Sequence, residues 1–217
     1  MWTFVNQSPP RRALAQLLPA LVARTHAFLA RRERAGVAAR RSRGLDYRRG
    51  HRCLPGPMVK PRVYIETSVL SYLTALPSRD VVRSAHQHLT VEWWARRDSF
   101  DLYVSEAVLA EARRGDPAAA ARRLEAANGL AILSASVEAQ ALAAELLAAA
   151  AMPPKAAIDA AHVAIAAVHG THFLLTWNCT HIANAAMRPK IEEVCRAAGL
   201  LPPVICTPEE LFLQEEP

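Results

Sequence analysis

The sequence predicts an α/β fold: a five-stranded parallel sheet covered by helices on both faces, a three-layer α/β/α sandwich. Three observations carry this expectation. From Met58 onward, short apolar runs rich in β-prone residues alternate with segments of helical periodicity. Five such runs occur, each separated from the next by helix, and that alternation describes a parallel sheet buried on both faces. Caps and stops of the expected type also punctuate the boundaries.

Taken in order, Arg62 to Glu66 is the first strand, and a short helix follows Ser68. Thr67 and Ser68 are placed to cap that helix, and no His–acid pair is arranged to make either a nucleophile. Ser78 is the expected N-cap of the next helix, with Asp80 in its first turn. That helix runs to about Arg97 and is expected to bury Val81, Val82, Ala85, Leu89 and Trp93. Leu102 to Val104 is the second strand. Ser105 caps the helix that carries Glu111 and ends at Gly115, and Asp116-Pro117 starts another that ends at Asn128-Gly129. Leu130 to Leu133 is the third strand, and Ser136 caps an Ala-rich helix reaching about Ala151. Pro153 and Pro154 break the chain before a helix from about Lys155 to His169. His172 to Thr176 is the fourth strand, and a polar turn, Trp177 to His181, follows it. A helix over Lys190 to Ala198 leads to the fifth strand, Val204 to Cys206. Thr207 to Glu210 reads as a capping box that opens a last helix.

Charge divides the chain in two. Residues 1–57 hold 12 Arg and 2 acidic residues, a balance of +10, whereas residues 58–217 hold 14 basic and 18 acidic residues, a balance of −4. The sequence pI of about 9.5 therefore belongs to the front segment, and it is no argument that the whole protein binds nucleic acid. Pro55-Gly56-Pro57 marks the boundary. Residues 1–57 are expected to be a disordered basic extension, with a nucleic-acid-binding arm and a targeting peptide as the competing readings. Residues 58–217 are expected to be the folded domain. The four cysteines show neither C-x-x-C nor paired His spacing, which fits plain thiols in a reducing, cytoplasmic compartment and not a zinc site. No uncharged apolar run of about 18 residues is present, so no membrane helix is expected.

Four polar residues stand where a parallel sheet gathers its site, at the carboxyl ends of the strands or in adjoining helices. Glu66 ends the first strand, Glu111 follows the second, Asp159 lies early in the helix before the fourth, and Asn178 lies just past the fourth. Three carboxylates meeting without a lysine repel one another, and a hard divalent cation such as Mg²⁺ or Mn²⁺ relieves that repulsion. Such an ion supports phosphodiester hydrolysis. No Walker loop, G-x-G-x-x-G or G-x-S-x-G appears, which argues against P-loop nucleotide binding, a Rossmann dehydrogenase and an α/β-hydrolase. Of the remaining polar residues, Glu106 suits the helix dipole, and His162, on the helix face of Asp159, is expected to be a packed histidine, with positioning of substrate or water as the alternative. His181 is expected either at the surface or just behind the ligands, and the Arg pairs 96–97, 113–114 and 122–123 on solvated helix faces. Arg113 and Arg114 are, as the alternative, candidates for contact with a nucleic-acid phosphate.

Val63-Tyr64-Ile65-Glu66-Thr67-Ser68-Val69-Leu70 resembles the opening of PIN-domain ribonucleases, notably the VapC-type toxins of toxin–antitoxin pairs. Val108-Leu109-Ala110-Glu111 with Gly115, Ile158 to Ala166, and Leu174 to Asn178 resemble that family's second, third and fourth motifs, in order, across roughly residues 60 to 210. The resemblance implies a sheet of order 3-2-1-4-5, with the first and fourth strands side by side. It implies a metal-dependent endoribonuclease acting on RNA, dimeric, and neutralised by a cognate antitoxin protein. It also implies that Glu66, Glu111, Asp159 and Asn178 form the catalytic and metal-binding set. The family usually has Asp at the positions of Glu66 and Asn178. A Glu reaches about 1.5 Å further than an Asp, and an Asn removes one negative charge. One firmly bound ion and a second that is weaker or substrate-dependent are expected. The alternative is a weakened PIN module that binds RNA or a protein without cutting.

Overall fold

The computed structural model of the protein describes residues 60–212. The basic segment at residues 1–57, with the expectation of disorder there, lies outside them, as does Cys53. The described residues form five strands: β1 (Arg62–Ile65), β2 (Asp101–Ser105), β3 (Ala131–Leu133), β4 (Phe173–Leu175) and β5 (Val204–Cys206). They also form α1 (Thr67–Thr74), α2 (Val81–Ala95), α3 (Glu106–Ala112), α4 (Pro117–Ala127), α5 (Val137–Ala148), α6 (Ala157–Val168) and α7 (Arg188–Ala197). Short 3₁₀ turns stand at Arg97–Ser99 and Pro154–Ala156.

All four strand pairings are parallel, and the order is β3-β2-β1-β4-β5. From β1 to β3 the chain steps one way across the sheet. It then returns over β1 to reach β4 and continues to β5. Right-handed crossovers place the helices of the two directions on opposite faces. Accordingly α1 packs on α2, α3 and α4, while α5 packs on α6 and α7. The central strand is the most enclosed: Val63, Tyr64 and Ile65 are fully buried, as a strand with helices on both faces requires.

Most of the expected caps form. Ser105 Oγ accepts from the Val108 N–H (3.3 Å), Asp116 Oδ1 from Ala119 (2.8 Å) and Ser136 Oγ from Ala139 (3.3 Å). At α2 the cap is Asp80, not Ser78. Asp80 Oδ1 accepts from the Arg83 N–H (2.8 Å), and Ser78 Oγ accepts from Asp80 itself (3.1 Å). The burial expected along α2 is also corrected. Trp93 is fully buried and Leu89 packs against the core, but Val81 is 82% exposed, Val82 63%, and Ala85 is exposed too. Residues 81–85 stand clear of the core, and packing begins at His86, which stacks on Trp177, and is completed in the second half of the helix. There the Trp93 indole N–H donates to the Leu211 carbonyl (3.0 Å).

The Ala-rich helix α5 ends at Ala148, three residues early, with Ala150 at φ 52°. This is the left-handed geometry that usually calls for glycine after a helix. At the C-terminal end, the Thr207–Glu210 box forms its reciprocal bonds, Thr207 N–H to Glu210 Oε2 (2.8 Å) and Glu210 N–H to Thr207 Oγ1 (3.4 Å). The described residues that follow make a turn and no helix. No described helix is long and apolar enough to cross a membrane.

Candidate metal centre

The strand order puts β1 beside β4, and this is where the direction of the crossovers changes. Ile65 pairs with Leu175, and the next N–H, that of Glu66, donates to the Leu175 carbonyl (3.0 Å). Glu66 then serves as the N-cap residue of α1, with ψ 157° and no side-chain capping bond. The helix thus begins one residue earlier than a cap at Thr67 would place it, and two earlier than a cap at Ser68. The two hydroxyls are freed from capping and serve the acids instead. Ser68 Oγ donates to Glu66 Oε2, and Thr67 Oγ1 donates to Glu111 Oε2 (2.7 Å).

Glu66 is only 5% exposed, so its carboxylate needs partners to offset lost hydration. Thr176 Oγ1, just past β4, supplies a second hydrogen bond to the same Oε2 (2.7 Å). Ser68 Oγ also accepts from the Trp177 N–H (2.8 Å), and Thr176 Oγ1 from the Asn178 N–H (2.9 Å). The segment after β4 is thereby fastened to the start of α1.

Glu111 sits on the second turn of α3, the helix capped by Ser105. Its Oε2 also meets Nε2 of His162 at 3.0 Å. His162 is fully buried, and its Nδ1 lies 2.7 Å from the Tyr64 hydroxyl, which in turn lies 2.7 Å from Ser105 Oγ. Burial pushes the Glu111 carboxyl up. Hydrogen bonds from His162 and Thr67, with the charges of His162 and Arg114, outweigh it and hold the group below the usual carboxylate range. Burial pushes His162 down, but the bond to Glu111 and the charges of Glu66, Glu111 and Asp159 raise it above the usual imidazole value. Burial, the largest cause, raises the Tyr64 hydroxyl.

Asp159 lies in the first turn of α6. Both its oxygens are engaged: Oδ1 accepts from Asn178 Nδ2 (3.0 Å), and Oδ2 pairs with His181 Nδ1 (2.7 Å). Asn178 Oδ1 accepts from the His181 backbone N–H (3.1 Å), which closes the trio. The four residues singled out in the sequence thus fall into two connected groups. Glu66 and Glu111 converge with His162, one ligand atom of each lying within 4.8 Å of the others. Asp159 and Asn178 bind each other and His181. Helix α6 joins the groups, because Asp159 and His162 lie three residues apart on one face.

Sequence reasoning placed His162 in the core and His181 at the surface or just behind the ligands; the acid that each one pairs with, Glu111 for His162 and Asp159 for His181, is what the structure adds. The signal for His162 was its spacing from Asp159. The Arg pairs also do more than face solvent. Arg122 Nε donates to the Thr74 carbonyl (2.9 Å) and Arg123 Nε to that of Ala112 (3.1 Å), tying α1 and α3 to α4.

The donor set fits a divalent cation. Among the described residues, Glu66 and Glu111 each spend only Oε2 on hydrogen bonds. The Oε1 atoms are left for an ion, and carboxylate oxygens are the preferred ligands of Mg²⁺ and Mn²⁺.

No family model matches the sequence, and no curated protein matches it either. Among solved structures, the chain is similar to VapC20 of Mycobacterium tuberculosis, described as a sarcin–ricin loop cleaving toxin. That likeness has 17% identity and a TM-score of 0.45, over 57% of this chain and 95% of the other. It is also similar to VapBC2 of Rickettsia felis, solved bound to a DNA fragment from its promoter. There the identity is 14% and the TM-score 0.43, over 67% of this chain and 98% of the other. The strand order and the parallel pairings define the architecture independently of either.

Proposed function

We propose that the protein is a divalent-metal-dependent endoribonuclease of the PIN type, acting in the cytoplasm as the toxin of a toxin–antitoxin pair. The observation that carries this reading is the meeting of Glu66, Glu111 and His162, with ligand atoms within 4.8 Å, at the sheet's topological switch point. Glu66 and Glu111 hold the ion, with Asp159 and Asn178 completing the metal-binding and catalytic set from the neighbouring group. Mg²⁺ or Mn²⁺ bound here supplies activation of the attacking water and charge neutralisation on the RNA phosphate. Thr67, Ser68 and Thr176 fix the two glutamates by holding Oε2 of each. Arg113 and Arg114, exposed at the end of α3, are placed to hold the phosphate backbone of the substrate. A cognate antitoxin and a homodimer complete the reading.

A second reading, a PIN module that binds RNA or a protein without cutting, is favoured by one feature: both Asp159 oxygens are already engaged by Asn178 and His181. Cleavage assays separate the two. The full-length protein is incubated with mixed RNA and Mn²⁺ or Mg²⁺, with and without chelator, beside Asp159→Asn. The nuclease reading expects internal cleavage that requires metal and is lost in the variant. RNA binding with no cleavage at any metal concentration would sink it in favour of the module.

A further inference from the structure

We propose that His162 is a positioning residue for Glu111 and not a ligand of the metal, an inference that rests on the metal-dependent reading above. By distance alone His162 belongs to the ligand cluster. Its hydrogen bonds assign it another role. Both ring nitrogens are occupied: Nε2 faces Glu111 Oε2 at 3.0 Å, and Nδ1 faces the Tyr64 hydroxyl at 2.7 Å. A ligating Nε2 would turn a lone pair toward the ion and lose its proton. Here that nitrogen is set against a carboxylate oxygen, where a proton is needed to make the contact favourable.

Burial agrees. The His162 side chain is 0% exposed, while that of Glu111 is 24% exposed. Solvent therefore reaches the Glu111 side chain and not the imidazole. With His162 and Thr67 both on Oε2, the carboxylate cannot rotate freely, and Oε1 remains as the coordinating oxygen. Second partners of this kind orient the groups that bind a metal.

The support for His162 runs back to the helix that carries Glu111. Tyr64, in the central strand, links His162 to Ser105 Oγ (2.7 Å), and the same Ser105 oxygen caps α3 by accepting from Val108 (3.3 Å). One buried chain, Ser105–Tyr64–His162, thus holds both the start of α3 and the acid on its second turn. A proton on Nε2, with Nδ1 as acceptor, is one placement that satisfies every member. Nε2–H donates to Glu111, Nδ1 accepts from Tyr64, the Tyr64 oxygen accepts from the Ser105 hydroxyl, and Ser105 accepts from Val108.

The test uses full-length protein with Mn²⁺ as the probe. Affinity is read by electron paramagnetic resonance titration, and directly bound nitrogen by the electron spin-echo modulation of the bound ion. The wild-type protein is expected to bind Mn²⁺ without a coordinated nitrogen. His162→Leu removes the donor and should weaken Mn²⁺ binding by about 10–100-fold. His162→Gln, whose amide N–H can take the place of Nε2–H, should restore most of that affinity. A purely structural histidine would change the melting temperature in both variants and leave Mn²⁺ affinity alone. Should His162→Leu not fold, Tyr64→Phe serves instead, and a loss of about tenfold is expected. A coordinated nitrogen in the wild-type signal overturns the proposal while leaving the metal reading standing. So does unchanged affinity in His162→Leu or, if that variant does not fold, in Tyr64→Phe. Wild-type protein that binds no Mn²⁺ overturns the metal reading itself.

Discussion

Thr176→Val isolates the anchoring of Glu66. The change keeps the shape of the side chain and removes one hydroxyl. That hydroxyl is fully buried, donates to Glu66 Oε2 at 2.7 Å and accepts from the Asn178 N–H at 2.9 Å. A hydrogen bond to a charged group contributes about 1.5–3 kcal/mol. Asn178 is only partly buried, so water can recover some of the second bond, and the expected loss is about 2 kcal/mol in total. For a domain of this size, each kcal/mol moves the melting temperature by about 2–4 °C. The variant should therefore melt about 4–8 °C lower by circular dichroism. Thr176→Ser, which retains the hydroxyl and loses a methyl, should lose only about 1 kcal/mol. If Thr176→Val melts with the wild type, or if Thr176→Ser falls as far, the hydroxyl is not what holds Glu66.

Val82→Ser should change stability by no more than about 0.5 kcal/mol, since the residue is 63% exposed; urea titration reads this directly, and a core-sized loss would restore the burial that periodicity suggested. Ala150→Gly should stabilise the domain by about 0.5–1 kcal/mol, because the left-handed φ of 52° penalises a Cβ; an unchanged urea midpoint would refute it. Burial raises the Cys195 thiol to about 11 and the Cys206 thiol to about 12. The unfolded chain loses these protons first, from about pH 8.5. Their contribution to stability is therefore complete below that pH and is lost as pH rises through the folded values. The melting temperature should fall on the alkaline side, and Cys195→Ala with Cys206→Ala should flatten that fall; a fall of equal slope in the double variant would contradict the assignment.

The sheet was legible in the sequence because each strand is a short apolar run with its own helix signals on either side. Its order came from the resemblance, since alternation alone does not say which strand lies beside which. Glu66 could be placed from Val63-Tyr64-Ile65 ending at an acid, but the work of Thr67 and Ser68 could not. Whether a hydroxyl caps a helix or binds a side chain depends on where the helix begins, and one residue decides it. Val81 and Val82 misled for a related reason: periodicity marks an apolar face without saying whether anything packs on it. His162 has the signature of a core residue, and it is one. Its contact with Glu111 spans 51 residues of sequence and follows only from the crossing of α3 and α6.

The most direct test of the metal centre is anomalous scattering from crystals of the full-length protein grown or soaked with Mn²⁺. The account predicts a manganese peak at the switch point, about 2.0–2.6 Å from Oε1 of both Glu66 and Glu111. An ion seated away from both glutamates, or no ion at this edge at millimolar Mn²⁺, would contradict it.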